Sequence, residues 1–324
     1  MIIVGTTSGV YRFSEQGGAW SPQGSALDGA PVFALASDPT IPGRVLAAAR
    51  EVGVFESLDS GSTWKQTAFD LDPWSIEIAA DGTAYAGTRP SAVYHQPPGG
   101  EWAPLNSLEE QPSYGSWTFP VAPHLPNIRD LRFSPSDHRT IYAAVEVGGL
   151  LVSRDGGSTW ENHREGVHLD IHCIATAPGE EDVVYAATGR GFYRSFDAGR
   201  QWEAACDGLA GLYLVPMVTH TLAPHTLVTA ATNGRPRYWR TRESGAEAVI
   251  YRSIDGGSRW TPTMGGLPEQ LTGAVAGLAV DQSNPEALYA ALEDGHVYAS
   301  DTFGDDWVEV ANGLPPAHAI TAVS

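Results

Sequence analysis

Cysteine is nearly absent from this chain: Cys173 and Cys206 are the only two in 324 residues, too few for a disulfide framework, and both read as buried thiols. Lysine is scarcer still, with Lys65 alone among 19 basic residues, a skew of the kind genome composition produces. Positive charge as a whole is short. Thirty-eight acidic residues face those 19, for a net charge of −19, which argues against a general nucleic-acid or anionic-membrane binder. No long amphipathic helical pattern is present, so helical bundles and coiled coils are excluded. The segment Met1 to Gly5 has no charged leader region, no long apolar stretch and no cleavage site, and a cytoplasmic protein is expected.

What the chain does have is 36 glycines, 23 prolines, many short Val/Ala/Tyr runs, and a recurring tryptophan. Trp20, Trp64, Trp102, Trp160, Trp202, Trp260 and Trp307 fall 38 to 58 residues apart. Most close one eight-residue phrase, clearest as Ser57-Leu58-Asp59-Ser60-Gly61-Ser62-Thr63-Trp64 and repeated at Ser153 to Trp160, Ser195 to Trp202 and Ser253 to Trp260. The copies ending at Trp20, Trp102 and Trp307 are worn. Self-similarity at this period marks an array of like units in which each needs its neighbours, so one domain over 1–324 is expected despite the length.

The phrase resembles the Asp-box, or BNR repeat, of sialidase-like β-propellers, including unassigned bacterial propellers of the glycosyl hydrolase/BNR-like type. The resemblance implies an all-β fold and a structural role for the repeat. Ser and Asp serve the turn's own backbone, Gly takes positive φ, and Trp fills the space between sheets. The expected architecture is a seven-bladed β-propeller of four-stranded antiparallel blades. Its last blade is built from residues 1–24 plus 317–324, so that the two ends interlock and no sheet edge is left open.

Each inner strand carries a Leu or Ile anchor before a small-residue pair in the second strand. The anchors are read as Leu35, Ile78, Leu131, Ile174, Leu222, Leu278 and Ile320. Two residues before them stand Phe33, Ile76, Arg129, His172, His220, Ala276 and His318. Three histidines at one level of a channel suggest a divalent transition metal held by His172, His220 and His318, and no organic cofactor is indicated. Around them Glu146, Asp170, His172 and Arg129 are the catalytic candidates. Asp170 shares a strand side with His172, and Arg129 can stabilise negative charge.

Two insertions, 103–127 and 233–246, belong to the face at which propellers usually bind ligands, and loops of that length are often functional. The second carries Arg235, Arg237, Arg240 and Arg242 with Tyr238 and Trp239 between them. Guanidinium groups grip carboxylates and phosphates, so Arg235, Arg237, Trp239 and Arg240, with His124 of the first insertion and Glu51, are expected to bind substrate. The bland alternatives are a loop that merely pairs with nearby acids and histidines that merely line a watered channel.

The expectation is a small-molecule enzyme, of hydrolase or lyase type, acting on an anionic substrate with metal assistance at the top of the channel. Two alternatives stand beside it. One is a non-catalytic scaffold, like the Asp-box propellers that assist assembly of photosynthetic complexes, for which a protein would be the partner. The other is a glycoside hydrolase with paired carboxylates, Glu51 with Glu146 or Asp170. Sialidase activity is not expected, since no Arg-Ile-Pro segment occurs and no arginine triad can be assigned.

Overall fold

In the computed structural model, which describes residues 1–323, the chain forms seven four-stranded antiparallel sheets. The inner strands are Val32–Ser37, Pro73–Ile78, Ile128–Phe133, Ile171–Ala177, Tyr213–His220, Val275–Val280 and Ala317–Ala322, and they define blades 1 to 7. Every inner strand touches the next, and that of blade 7 touches that of blade 1, which closes the ring. Blade 7 takes its inner strand from the C-terminal end and its other three, Ile2–Thr6, Gly9–Gln16 and Ala19–Ala26, from the N-terminal end. Ile2 faces Ala322 and Val4 faces Ile320 across that seam.

The second strands explain the small-residue pairs. Val45–Ala49, Ile141–Val145 and Leu288–Leu292 are buried along their whole length, because both faces lie against neighbouring sheets. Alanines there let the sheets approach, while Tyr142 and Tyr185 in second strands and Tyr251 in a third strand are buried between neighbouring sheets.

The repeated phrase is a self-sufficient turn. Ser57 Oγ donates to Asp59 Oδ1 at 2.8 Å and accepts from the Gly61 N–H at 2.8 Å. Asp59 accepts from the Thr63 N–H at 2.8 Å and from its hydroxyl at 2.7 Å, and Trp64 Nε1 donates to the Gly61 carbonyl at 2.9 Å. Gly61 has φ of 78°, where a side chain would be strained. The two serine bonds recur at Ser153, Ser195 and Ser253, whereas the tryptophan bond recurs at Trp202, and Trp260 turns instead to the Ala205 carbonyl. Even the worn copy at Ser300 keeps the serine-to-Gly304 and Trp307-to-Gly304 bonds. Both cysteines are free, and burial pushes the Cys173 thiol up to about 12.

Two of the expected anchors are displaced. Ile76, not Ile78, faces Ala86 in blade 2. In blade 5, Leu222 is no anchor: it sits 79% exposed in the two-residue turn between the first strand and the second, Ala223–Thr232. That tight hairpin carries His220 to the far end of its strand, opposite Ala223.

Candidate active site at the channel mouth

A bulge interrupts the register of every inner strand at one level. The residues skipped by the pairing are Phe33, Trp74, Arg129, His172, Ala276 and His318, with Val215 and Pro216 together in blade 5. A bulge re-aims a side chain that a regular ladder would place against the next blade. Phe33, Trp74, Arg129, Val215, Ala276 and His318 thereby line a cavity of about 400 Å³ at the mouth of the channel.

The ring therefore differs from the expected one: Trp74 replaces Ile76 and Val215 replaces His220. The three histidines do not converge on an ion. His220 stands beside Glu286 at 3.2 Å and packs edge-on against Phe303. His318 stacks on Phe33 at 4.0 Å, and its pKa falls to about 3 through burial and then the charges of Arg50, Arg129 and Arg240. No acid stands within ion-pair distance of His318 among the described residues to offset these three guanidinium charges, so its ring disfavours a cation as it disfavours a proton.

A second column of residues completes the floor. In six blades the residue after the second strand donates its N–H to the carbonyl just ahead of the inner strand: Arg50 to Pro31, Arg89 to Asp72, Glu146 to Asn127, Gly189 to Asp170, Glu293 to Ala274 and Thr7 to Pro316. Arg50 thus occupies the place in blade 1 that Glu146 occupies in blade 3. Glu51, one residue on, points to solvent with its side chain 77% exposed and pairs with Arg89 at 3.1 Å, outside the cavity. Arg50 lies between Phe33 and Trp74, 3.7 and 3.6 Å from the ring centres. Its Nε is buried without a hydrogen-bond partner. Burial, followed by the charge of Arg129, lowers its pKa to about 9. Nothing in the sequence pattern marked Arg50, although aligning the ends of the second strands, as distinct from the inner strands, would have found it.

Glu146 and Asp170 meet through a single antiparallel bridge between blade 3 and the segment entering blade 4. Both line the cavity, and together with His172 their ligand-capable atoms lie within 4.8 Å of one another. Arg129 Nε stands 3.8 Å from Glu146 Oε2, and Asn127 Nδ2 donates to the same oxygen at 3.3 Å. Burial works to raise the Asp170 pKa, but the adjoining His172, His168 and Arg235 outweigh it and hold the carboxyl below its ordinary value. The four expected catalytic residues are thus neighbours.

Both insertions arch over this floor. From the first, Phe119 packs edge-on to Trp74 at 5.2 Å and lines the cavity with Pro120 and Val121. His124 stays exposed outside the cavity, its Nδ1 2.9 Å from the Phe119 carbonyl, so it shapes the turn and does not face a ligand. From the second, Pro236–Trp239 forms one helical turn, and buried Trp239 meets Tyr213 at 5.4 Å, which in turn meets His172 at 4.8 Å. Arg235, Arg237, Trp239 and Arg240 all reach the cavity. The pairing alternative holds for part of this loop: Arg240 bonds Glu293 at 3.3 Å and Arg242 bonds Glu247 at 3.1 Å. Arg235 and Arg237 have no acidic partner within ion-pair distance among the described residues.

No protein-family model matches the chain. It is 24% identical over 226 residues to the oligoxyloglucan-reducing end-specific xyloglucanase of Emericella nidulans, a match covering 58% of this chain and 27% of that protein. The structure superposes on the GH74 xyloglucanase of Xanthomonas campestris with a TM-score of 0.70 at 17% identity, covering 99% of this chain and 52% of that one. It also superposes on YCF48 from Cyanidioschyzon merolae, with a TM-score of 0.59 at 14% identity, covering 86% and 84%. The chain thus spans about a quarter to a half of the xyloglucanases it matches and most of YCF48. These likenesses establish the seven-bladed propeller fold.

Proposed function

We propose that the chain is a hydrolase of a small anionic molecule of carbohydrate type, bound at the channel mouth. The observation that carries this reading is the content of one cavity in an acidic protein: Arg50, Arg129, Arg235, Arg237 and Arg240 beside the buried carboxylates of Glu146 and Asp170. The arginines supply bidentate donors for a carboxylate or phosphate. Trp74, Phe119 and Tyr213 offer apolar faces for a sugar ring. Glu146 and Asp170 activate the attacking water, and Arg129 meets the negative charge that develops. Kinship of fold and sequence with xyloglucanases supports a carbohydrate substrate class.

The carboxylate pair is too close for the inverting arrangement, whose carboxyls stand about 6.5–9.5 Å apart with a water between them. Water activation by the pair as a unit fits the distance better, and the Glu51 pairings drop out because Glu51 lies outside the cavity.

The test is a hydrolysis panel of neutral glycosides, uronides and sugar phosphates. Turnover is expected on anionic members only. Glu146→Gln and Asp170→Asn should each lower kcat by about 10²–10⁴-fold, and Arg50→Met should act on KM. Preference for neutral glycosides, or no binding of any anionic member, would overturn the proposal. The scaffold reading retains one specific support, the match to YCF48 bound to D1 peptide over 81% of that chain. It predicts peptide binding that survives both carboxylate substitutions, with no turnover.

A further inference from the structure

The imidazole of His172 is set up in a way that its protein neighbours leave incomplete. Its Nδ1 lies 2.5 Å from the Leu214 carbonyl oxygen. A carbonyl only accepts, so Nδ1 carries a proton and Nε2 is the nitrogen left to meet whatever lies on the other side of the ring. Nε2 faces Asp170 Oδ1 at 3.3 Å. Both atoms are buried, neither has a hydrogen-bond partner, and the residues are only 5% and 8% exposed. Two buried polar atoms thus face one another unpaired, an arrangement that costs free energy unless a proton or a cation lies between them.

We propose that Glu146, Asp170 and His172 hold a divalent first-row cation, such as Zn²⁺ or Mn²⁺, at the edge of the cavity. The donor set is one imidazole nitrogen and two carboxylates, a mixed nitrogen and oxygen shell suited to these ions. Ligand atoms around one ion at about 2.0–2.2 Å stand roughly 3 to 4.4 Å apart. The three groups, already within 4.8 Å of one another, close onto it by side-chain rotation.

The surroundings are built for the same purpose. The Nδ1–H bond to Leu214 fixes Nε2 as the ligand atom, the outer bond that ligating histidines usually make. Asn127, fully buried, orients Glu146 through its Nδ2 and leaves its own Oδ1 unpartnered. Gly189 leaves room for the Asp170 carboxylate, since a Cβ there would sit 2.4 Å from Oδ2. Glu146 and Asp170 line the cavity, so the remaining coordination positions open onto it and can take a water, whose pKa the ion would lower. In that use the inference rests on the hydrolase reading above: the pair would activate water through the ion.

Untagged protein, chelator-stripped and dialysed, would be titrated with Co²⁺ and Zn²⁺, followed by calorimetry and by the visible absorption of bound Co²⁺. One ion per chain is expected. His172→Ala and Asp170→Asn should lose it, and Asn127→Ala should bind about 10–100-fold more weakly. His220→Ala and His318→Ala should bind as wild type. Absence of saturable binding to the wild type, or its loss in the His220 or His318 variant, overturns the proposal. Should His172→Ala fail to fold, Glu146→Gln replaces it: Co²⁺ should raise the wild-type Tm and leave that of the variant unmoved, and an equal rise in both overturns the site. Turnover of an anionic glycoside by protein that shows no saturable binding removes the cation and keeps the hydrolase. Saturable binding with no turnover removes the hydrolase and keeps the cation.

Discussion

Asp59 is exposed and Asp155 half-buried, yet their carboxyls sit at about 2 against an ordinary 3.8, because the N–H and hydroxyl of Thr63 and Thr159 donate to the ionised form. Asp197 and Asp255 are lowered too; burial is the largest single influence and opposes the shift, but the backbone donors of Gln201 and Arg259 outweigh it together with the Ser195 and Ser253 hydroxyls and the remaining donors of each turn. As pH falls the unfolded chain takes up these protons before the folded one does. The contribution of each turn is therefore present above about pH 4 and is lost toward pH 2. His318 acts in an adjoining window: its ordinary value is 6.5 and its folded value about 3, so folding loses stability as pH falls between the two. The Tm should thus decline from neutral pH downward in two overlapping stages. Asp155→Asn, which keeps an acceptor but cannot ionise, should flatten only the lower stage, and His318→Gln only the upper. Thermal unfolding between pH 7 and 2 tests this, and curves parallel to that of the wild type would rule out both assignments.

Bulged strands and an anchored lid make the site, and they differ in how far the sequence reveals them. The Trp-closed turns were legible because serine, aspartate and glycine are each required by local backbone geometry, wherever the turn sits. The bulge has no such signature. Phe33, Trp74, Arg129, His172, Val215, Ala276 and His318 share a position but no chemistry, so only pairing across the sheet reveals them. Counting back from Ala230 placed the blade 5 anchor at Leu222, because the count cannot see that Thr221 and Leu222 form the whole turn. The cluster of Glu146, Asp170, His172 and Arg129 was legible since its members lie close to strand ends on one face. Arg50 was hidden because its role depends on two rings from other strands. The arginine-rich insertion is held down at Trp239, by its contact with Tyr213, and at its neck by Arg242 on the Asn233 carbonyl and Glu247. Trp239→Ala should release this lid while the blades persist. Limited proteolysis should then cut within 234–245 faster than in the wild type, and affinity for the anionic ligand should fall. A variant equally resistant to proteolysis would show that the helical turn stands without its anchor.

The ring as a whole sets both the electrostatics and the integrity of the site. A body of net charge −19 repels polyanions at long range, while five of its 19 basic residues face one cavity of about 400 Å³. Under the proposed function, that contrast of scale would favour small anions over polymeric ones. Closure matters as much, because every blade contributes a residue to the same rim. His318 belongs to the strand Ala317–Ala322, which blade 7 borrows from the other end of the chain. Removing 317–324 strips the inner strand from blade 7 and bares the buried Ile2 and Val4 along a sheet edge. The two neighbouring inner strands lose their packing as well. In a row of independent units such a cut would damage one end. In a closed ring it removes a contact from both sides of the gap, and the distance across the channel is no longer fixed. The truncated chain should therefore lose its single cooperative thermal transition and, at temperatures where it remains soluble, its ligand affinity as well. The two losses should coincide although Arg50, Glu146 and Asp170 are untouched. A truncated protein that unfolds cooperatively and still binds would mean that six blades hold the rim, and that the seam between the chain ends is dispensable.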